Sequence, residues 1–135
     1  AVLALPRPHL TFREGLLGRL MHSSTTLRPL HGGGGRSVLY AASKGFVSSF
    51  TRGLAKEVAR FNIRVNAVAP GVIDKPNKTT TTPPHQIDDS LRMTPMRRQG
   101  NVEECVGAYL YLASGALSSF VTGQVIEVNG GLLMP

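Results

Sequence analysis

Ser37-Val38-Leu39-Tyr40-Ala41-Ala42-Ser43-Lys44-Gly45 opens a long helical pattern in this chain of 135 residues. Phe46, Phe50, Leu54 and Val58 then recur every four residues, with Val47 and Phe61 beside them. That spacing predicts an amphipathic helix of about six turns from Ser37 to Phe61, with Ser37 as its N-cap. Ile63-Arg64-Val65-Asn66-Ala67-Val68-Ala69 follows as a β-branched, alternating strand that stops at Pro70-Gly71. A second helix is expected from about Val102 to Ala113, with Val106, Tyr109, Leu110 and Ala113 as its inner stripe. Glu103 and Glu104 suit its positive N-terminal end. Val121–Val128 reads as another strand, turning at Asn129-Gly130-Gly131. Helix, strand, loop, helix, strand implies an α/β fold with a parallel, right-handed βαβ unit.

Upstream and between these elements the sequence is less regular. Residues 1–30 have no sustained period of 2 or 3.6, and Phe12–Met21 offers at most a short helix weakened by Gly15 and Gly18. Residues 74–95 form a polar loop with Thr79–Thr82, Pro83 and Pro84, too long for an ordinary connection; loops of that size inside compact domains are usually functional lids or mobile.

Tyr40 and Lys44 carry the chemistry. A spacing of four stacks them on one helix face, one turn apart, with only small residues between. A phenol has a solution pKa near 10 and is a poor base at neutral pH. A neighbouring ammonium favours the phenolate, which suits such a pair to move a proton on or off an alcohol or carbonyl oxygen.

The stretch from Ser37 to Gly45 resembles the catalytic helix of the short-chain dehydrogenase/reductase family. The likeness continues through Ile63–Ala69, Pro70-Gly71-Val72-Ile73, the Glu103-Glu104 helix, Thr122-Gly123-Gln124 and Asn129-Gly130-Gly131. It covers about residues 31–135, read as the C-terminal half of such a domain, with residues 1–30 unassigned and outside the pattern. The resemblance implies a partial Rossmann-like fold and NAD(P)-dependent interconversion of an alcohol and a carbonyl. By the same resemblance Tyr40 is the general acid/base. Lys44 supports it and binds the nicotinamide ribose, and Pro70, Gly71, Val72 and Ile73 line the nicotinamide end of the cofactor. The substrate is a small alcohol or carbonyl compound, and the Tyr40 helix is expected to pack against its copy in a homo-oligomer.

Several positions depart from the family pattern. The family's substrate-positioning Ser precedes the Tyr at a strand end; at the corresponding distance stands Thr26, inside Ser23-Ser24-Thr25-Thr26, with no hydrophobic strand legible before it. A run of small polar residues in a loop is the competing reading of Thr26. Lys75 stands where the family usually has a Thr that bonds the nicotinamide amide. A dinucleotide fold also needs a Gly-rich turn between its first strand and helix. Gly32–Gly35 follows no legible strand and does not spell G-x-G-x-x-G, so the pyrophosphate-binding motif and the first half of the fold are absent from this chain. The residues that would choose NAD or NADP are absent with it. The alternative to an active oxidoreductase is therefore a catalytically inactive fragment that folds only in association with a partner or a copy of itself.

Composition narrows the remaining classes. The net charge of +7 rests on 15 Lys+Arg against 8 Asp+Glu, and residues 1–36 contribute five Arg against Glu14 alone. The excess is densest where structure is least legible, and aromatics are only 6%, so no stacking face for a nucleic acid is expected. No apolar run approaches the roughly 20 residues of a membrane span. One Cys leaves no internal disulfide or Cys-based zinc site, and His9, His22, His31 and His85 lack metal-ligand spacing. A cytoplasmic location is expected, with Cys105 as a small core residue rather than a nucleophile.

Overall fold

The computed structural model describes residues 19–23, 38–74 and 84–135. In chain order the elements are strand β1 (Arg19–Ser23), helix α1 (Val38–Val58) running into a 3-10 turn (Ala59–Phe61), and strand β2 (Arg64–Pro70). Helix α2 (Pro84–Met93), helix α3 (Glu103–Ala113), the short helix α4 (Gly115–Ser118) and strand β3 (Val125–Val128) complete it. The sheet has the order β1-β2-β3 and is parallel throughout. Arg19 pairs with Arg64 and Ser23 with Val68 on one side of β2; Ala67 pairs with Val125 and Pro70 with Val128 on the other.

β2 is the centre of the core. It is buried at every position from Arg64 to Ala69, because strands flank both its edges and α1 and α3 pack against it. A doubly covered parallel strand loses the polar alternation of a half-exposed one. The helix before it ends on Asn62, which takes the left-handed conformation (φ 58°) and donates its N–H to Ala59 O at 2.9 Å. Arg64 is 5% exposed and supplies the fastener between β2 and the α3–α4 corner. Its Nη2 donates to Leu112 O (2.8 Å), and its Nη1 to Ser118 Oγ (3.2 Å) and Val121 O (3.3 Å). The guanidinium thus meets carbonyls at a helix C-terminus, where the dipole favours a cation.

The structure changes four readings. First, Arg19–Ser23 is a strand inside the stretch without legible periodicity. It holds five residues, none β-branched, so pairing with β2 outweighs local propensity. Second, Pro84–Met93 is a helix within the predicted loop. Proline suits a first helical turn because its missing N–H has no intrahelical partner there, and Ile87 and Leu91 sit one turn apart.

Third, the strand expected over Val121–Val128 begins only at Val125. Gly123 has φ +72° and donates to Val65 O (2.7 Å), while Thr122 Oγ1 accepts from Val65 N (3.1 Å). Asn66 completes the clasp, its Nδ2 donating to Val121 O (3.0 Å) and its Oδ1 accepting from Gln124 N (3.0 Å). Side-chain bonds from Thr122 and Asn66 there supplement the backbone bonds of Gly123 and Gln124.

Fourth, both helix stripes face differently from expectation. α1 buries Ala41, Thr51 and Ala55, leaving Phe46 65% and Phe50 43% exposed. Small residues let the helix lie close on the sheet, and Thr51 Oγ1 satisfies itself on Val47 O at 2.8 Å. On α3 the buried residues are Cys105 and Leu112, with Val106 and Leu110 outward. α3 is apolar on several sides, so periodicity alone could not choose its inner face.

Candidate active site

All three strands run the same way, so their C-terminal ends, Ser23, Pro70 and Val128, share one edge of the sheet. α1 leads back across the sheet into β2, which carries its N-terminal turn to that same edge. Tyr40 lies in this first turn and is partly exposed. Lys44 Nζ stands 5.6 Å from the Tyr40 ring centroid, within reach of a cation–π contact. Ser43 Oγ donates to Tyr40 O at 2.7 Å.

Beyond Pro70 the chain turns at Gly71, whose N–H donates to Val128 O at 3.0 Å. Gly100 then bridges the following residues in parallel register with Ile73. Its N–H donates to Val72 O (3.0 Å) and its carbonyl accepts from Asp74 N (2.8 Å). A cavity of about 360 Å³ opens beside this loop, walled by Gly71–Ile73, Thr94, Met96, Gly100 and Asn129–Gly131 among others. Tyr40 and Lys44 are not part of its wall. A crevice at the carboxyl ends of parallel strands is where open α/β sheets bind ligands.

The loop before α3 is organised by one carboxylate. Arg98 Nη1 and Nη2 donate to Glu104 Oε2 (2.8 Å) and Oε1 (2.6 Å). Asn101 N also donates to Glu104 Oε2 (2.9 Å), and Asn101 Oδ1 accepts from Glu104 N (2.9 Å), a reciprocal capping box. The Arg98 and Asn101 bonds hold the Glu104 carboxyl down at about 2, and Glu104 in turn raises Arg98. Cys105, next along the helix, has its thiol pushed up by burial and by the Glu104 charge.

The structure therefore brings Tyr40, Lys44, Pro70, Gly71, Val72 and Ile73 to one end of the sheet. Thr26, Lys75 and Gly32–Gly35 lie outside the described residues. No cluster of three His, Cys, Asp or Glu suited to a metal ion occurs among the described residues, and no described helix is long and apolar enough to cross a membrane. The sequence did not reveal Gly100, Glu104 and Asn129 as builders of the cavity beside the Gly71–Ile73 loop. The Asn-x-x-Glu spacing of a capping box was the one readable signal among them.

The family model for enoyl-(acyl carrier protein) reductase matches residues 11–133. The chain belongs to the short-chain dehydrogenase/reductase family. The match begins well before residue 31 and takes in β1, so the family pattern reaches into the stretch that reads as unassigned. Among relatives, the uncharacterized oxidoreductase YhdF of Bacillus subtilis is 49% identical over 92 residues, 68% of this chain and 32% of that protein. The 3-oxoacyl-(acyl-carrier-protein) reductase FabG of Thermotoga maritima is 48% identical over 95 residues, 70% of this chain and 38% of that protein. The crystal structure of a 3-oxoacyl-(acyl-carrier protein) reductase with bound NAD from Brucella melitensis superposes with a TM-score of 0.68 at 37% identity. That superposition covers 87% of this chain and 42% of the solved one. The chain thus spans less than half the length of these relatives, and its fold is a partial Rossmann-like α/β fold of that family.

Proposed function

We propose that the chain carries the proton-transfer half of an NAD(P)-dependent oxidoreductase that interconverts a small alcohol and its carbonyl compound. The observation that supports this reading most directly is Lys44 Nζ at 5.6 Å from the Tyr40 ring, on the same sheet edge as Pro70–Ile73. In reduction the Tyr40 hydroxyl gives its proton to the carbonyl oxygen; in oxidation the phenolate takes the alcohol proton. The Lys44 charge stabilises the phenolate between the two. By the resemblance, Thr26 is the candidate for the hydroxyl that positions the substrate oxygen.

The donor set fits a nicotinamide nucleoside. An ammonium with three N–H donors suits vicinal ribose hydroxyls, and the Val72–Ile73 pair offers an apolar wall to a flat ring. A bound nicotinamide supplies or accepts the hydride. Lys44 would hold its ribose and Pro70, Gly71, Val72 and Ile73 its ring. The pyrophosphate has no Gly-rich cradle among the described residues. A cytoplasmic setting suits the single free thiol.

The test is titration of NADH and NADPH fluorescence with purified chain, followed by turnover with a panel of small carbonyl compounds. Tyr40→Phe should abolish turnover and leave cofactor binding intact. No binding of either dinucleotide at millimolar concentration would overturn the reading. A second reading, an inactive fragment that folds only in association, is favoured by the uncovered apolar side chains. Leu39 is 86% exposed and Phe120 102%. Such surfaces belong in an interface. A chain that acquires cooperative unfolding only when associated, and binds no dinucleotide, would select it.

A further inference from the structure

We infer that Glu104 is a positioning residue for the Val72–Asp74 loop, acting through Gly100. The residues on the two sides of Gly100 are both tied to this one carboxylate, Arg98 by two bonds and Asn101 by its N–H. Gly100 sits at the centre of the clamped segment, and its N–H and carbonyl make the two bonds that hold Val72 and Asp74.

The fit around Gly100 is tight. A β-carbon there would meet Ile73 Cδ1 at 2.9 Å and Glu104 Oε2 at 3.5 Å, so the carboxylate and the loop side chain close on the glycine from two directions. Glu104 is itself fixed. It stands in the first turn of α3, whose far end is held to β2 by the bond from Arg64 to Leu112 O. The carboxylate thereby joins a helix anchored on the core to a loop that has no secondary structure of its own beyond the Ile73–Gly100 bridge. A charged acceptor with three N–H donors makes stronger bonds than neutral partners would, and those bonds fix the approach of Gly100.

The role given to the loop rests on the reading of Pro70–Ile73 as the nicotinamide wall, whereas the linkage itself does not. The experiment therefore reads the linkage directly, by amide hydrogen exchange on the full chain. In Glu104→Gln, exchange at Asp74 and Gly100 should quicken about five- to tenfold, because a neutral amide cannot hold both arms of Arg98. Exchange at Ala67 and Gly123, whose bonds lie on β2, should stay unchanged. Arg98→Met breaks the same clamp from the other side and should reproduce the pattern, which keeps the test intact if Glu104→Gln fails to fold. Unchanged exchange at Asp74 in a folded variant, or an equal increase at all four amides, would overturn the inference. Dinucleotide binding measured on the same variants separates the two ideas. Lost binding in the parent chain would refute the nicotinamide reading and leave the exchange result standing.

Discussion

Gly71 and Asn129 touch backbone to backbone: a β-carbon on Gly71 would lie 2.7 Å from Asn129 Cα and 3.1 Å from its carbonyl oxygen. The turn after β3 thus lies directly on the loop after β2. Asn129 stiffens that turn, its Nδ2 donating to Glu127 Oε2 (2.9 Å) and Leu133 O (3.2 Å) and its Oδ1 accepting from Gly131 N (3.0 Å). Neither backbone can withdraw without breaking the Gly71 N to Val128 O bond. Gly71→Ala should destabilise the chain by about 1–3 kcal/mol through overpacking, read as a lower urea midpoint.

Arg64 offers a test of a different kind. Its guanidinium is buried and donates to Leu112 O, Ser118 Oγ and Val121 O. Arg64→Met keeps much of the volume but leaves buried acceptors unpaired. The expected cost is about 1–3 kcal/mol, with the loss visible as a lower Tm rather than a changed sheet content by circular dichroism.

Glu104 gives the stability a pH signature. Its carboxyl falls from the ordinary 4.5 to about 2 in the folded chain, so the folded state binds the proton less readily than the unfolded one. Its contribution is therefore complete above about pH 4.5 and is lost as the pH falls toward 2. The gap in urea midpoint between the parent chain and Glu104→Gln should be constant from pH 5 to 8 and shrink below pH 4.5. The pair is exposed, so the gap should also narrow in 1 M salt.

The outer face of α1 predicts self-association. The Phe46 and Phe50 rings stack at 5.5 Å with an interplanar angle of 23°, in the open. Phe46→Asp should convert a dimer or larger assembly into monomer by sedimentation velocity, with little change in the buried Ala41–Thr51–Ala55 face. A parent chain that sediments as a monomer at all concentrations would remove the case for this interface.

How far these features could be read in advance varies with their physical origin. The Tyr40 helix, β2 and the Pro70-Gly71 stop are local: period, β-branching and turn chemistry lie within a few neighbouring residues. β1 is not local. Leu20, Met21 and His22 acquire strand structure from pairing with Val65, Asn66 and Ala67, far along the chain. The direction of Phe46 was hidden for a related reason, since a close helix–sheet contact selects alanine and threonine over the larger rings. Gly100 and Asn129 were unreadable as site builders because their role is an approach distance between segments, which no spacing in the sequence encodes.

The common direction of the three strands divides the molecule into two ends about 20 Å apart, the length of β2. Arg64, Asn66, Thr122 and the Asn62 turn gather at one; Tyr40, Gly71 and Asn129 gather at the other. A fluorophore or affinity handle near Asn62 should therefore report unfolding without disturbing ligand exchange. Substitutions at the proposed binding end can accumulate while the Arg64 and Asn66 bonds at the other end stay as they are.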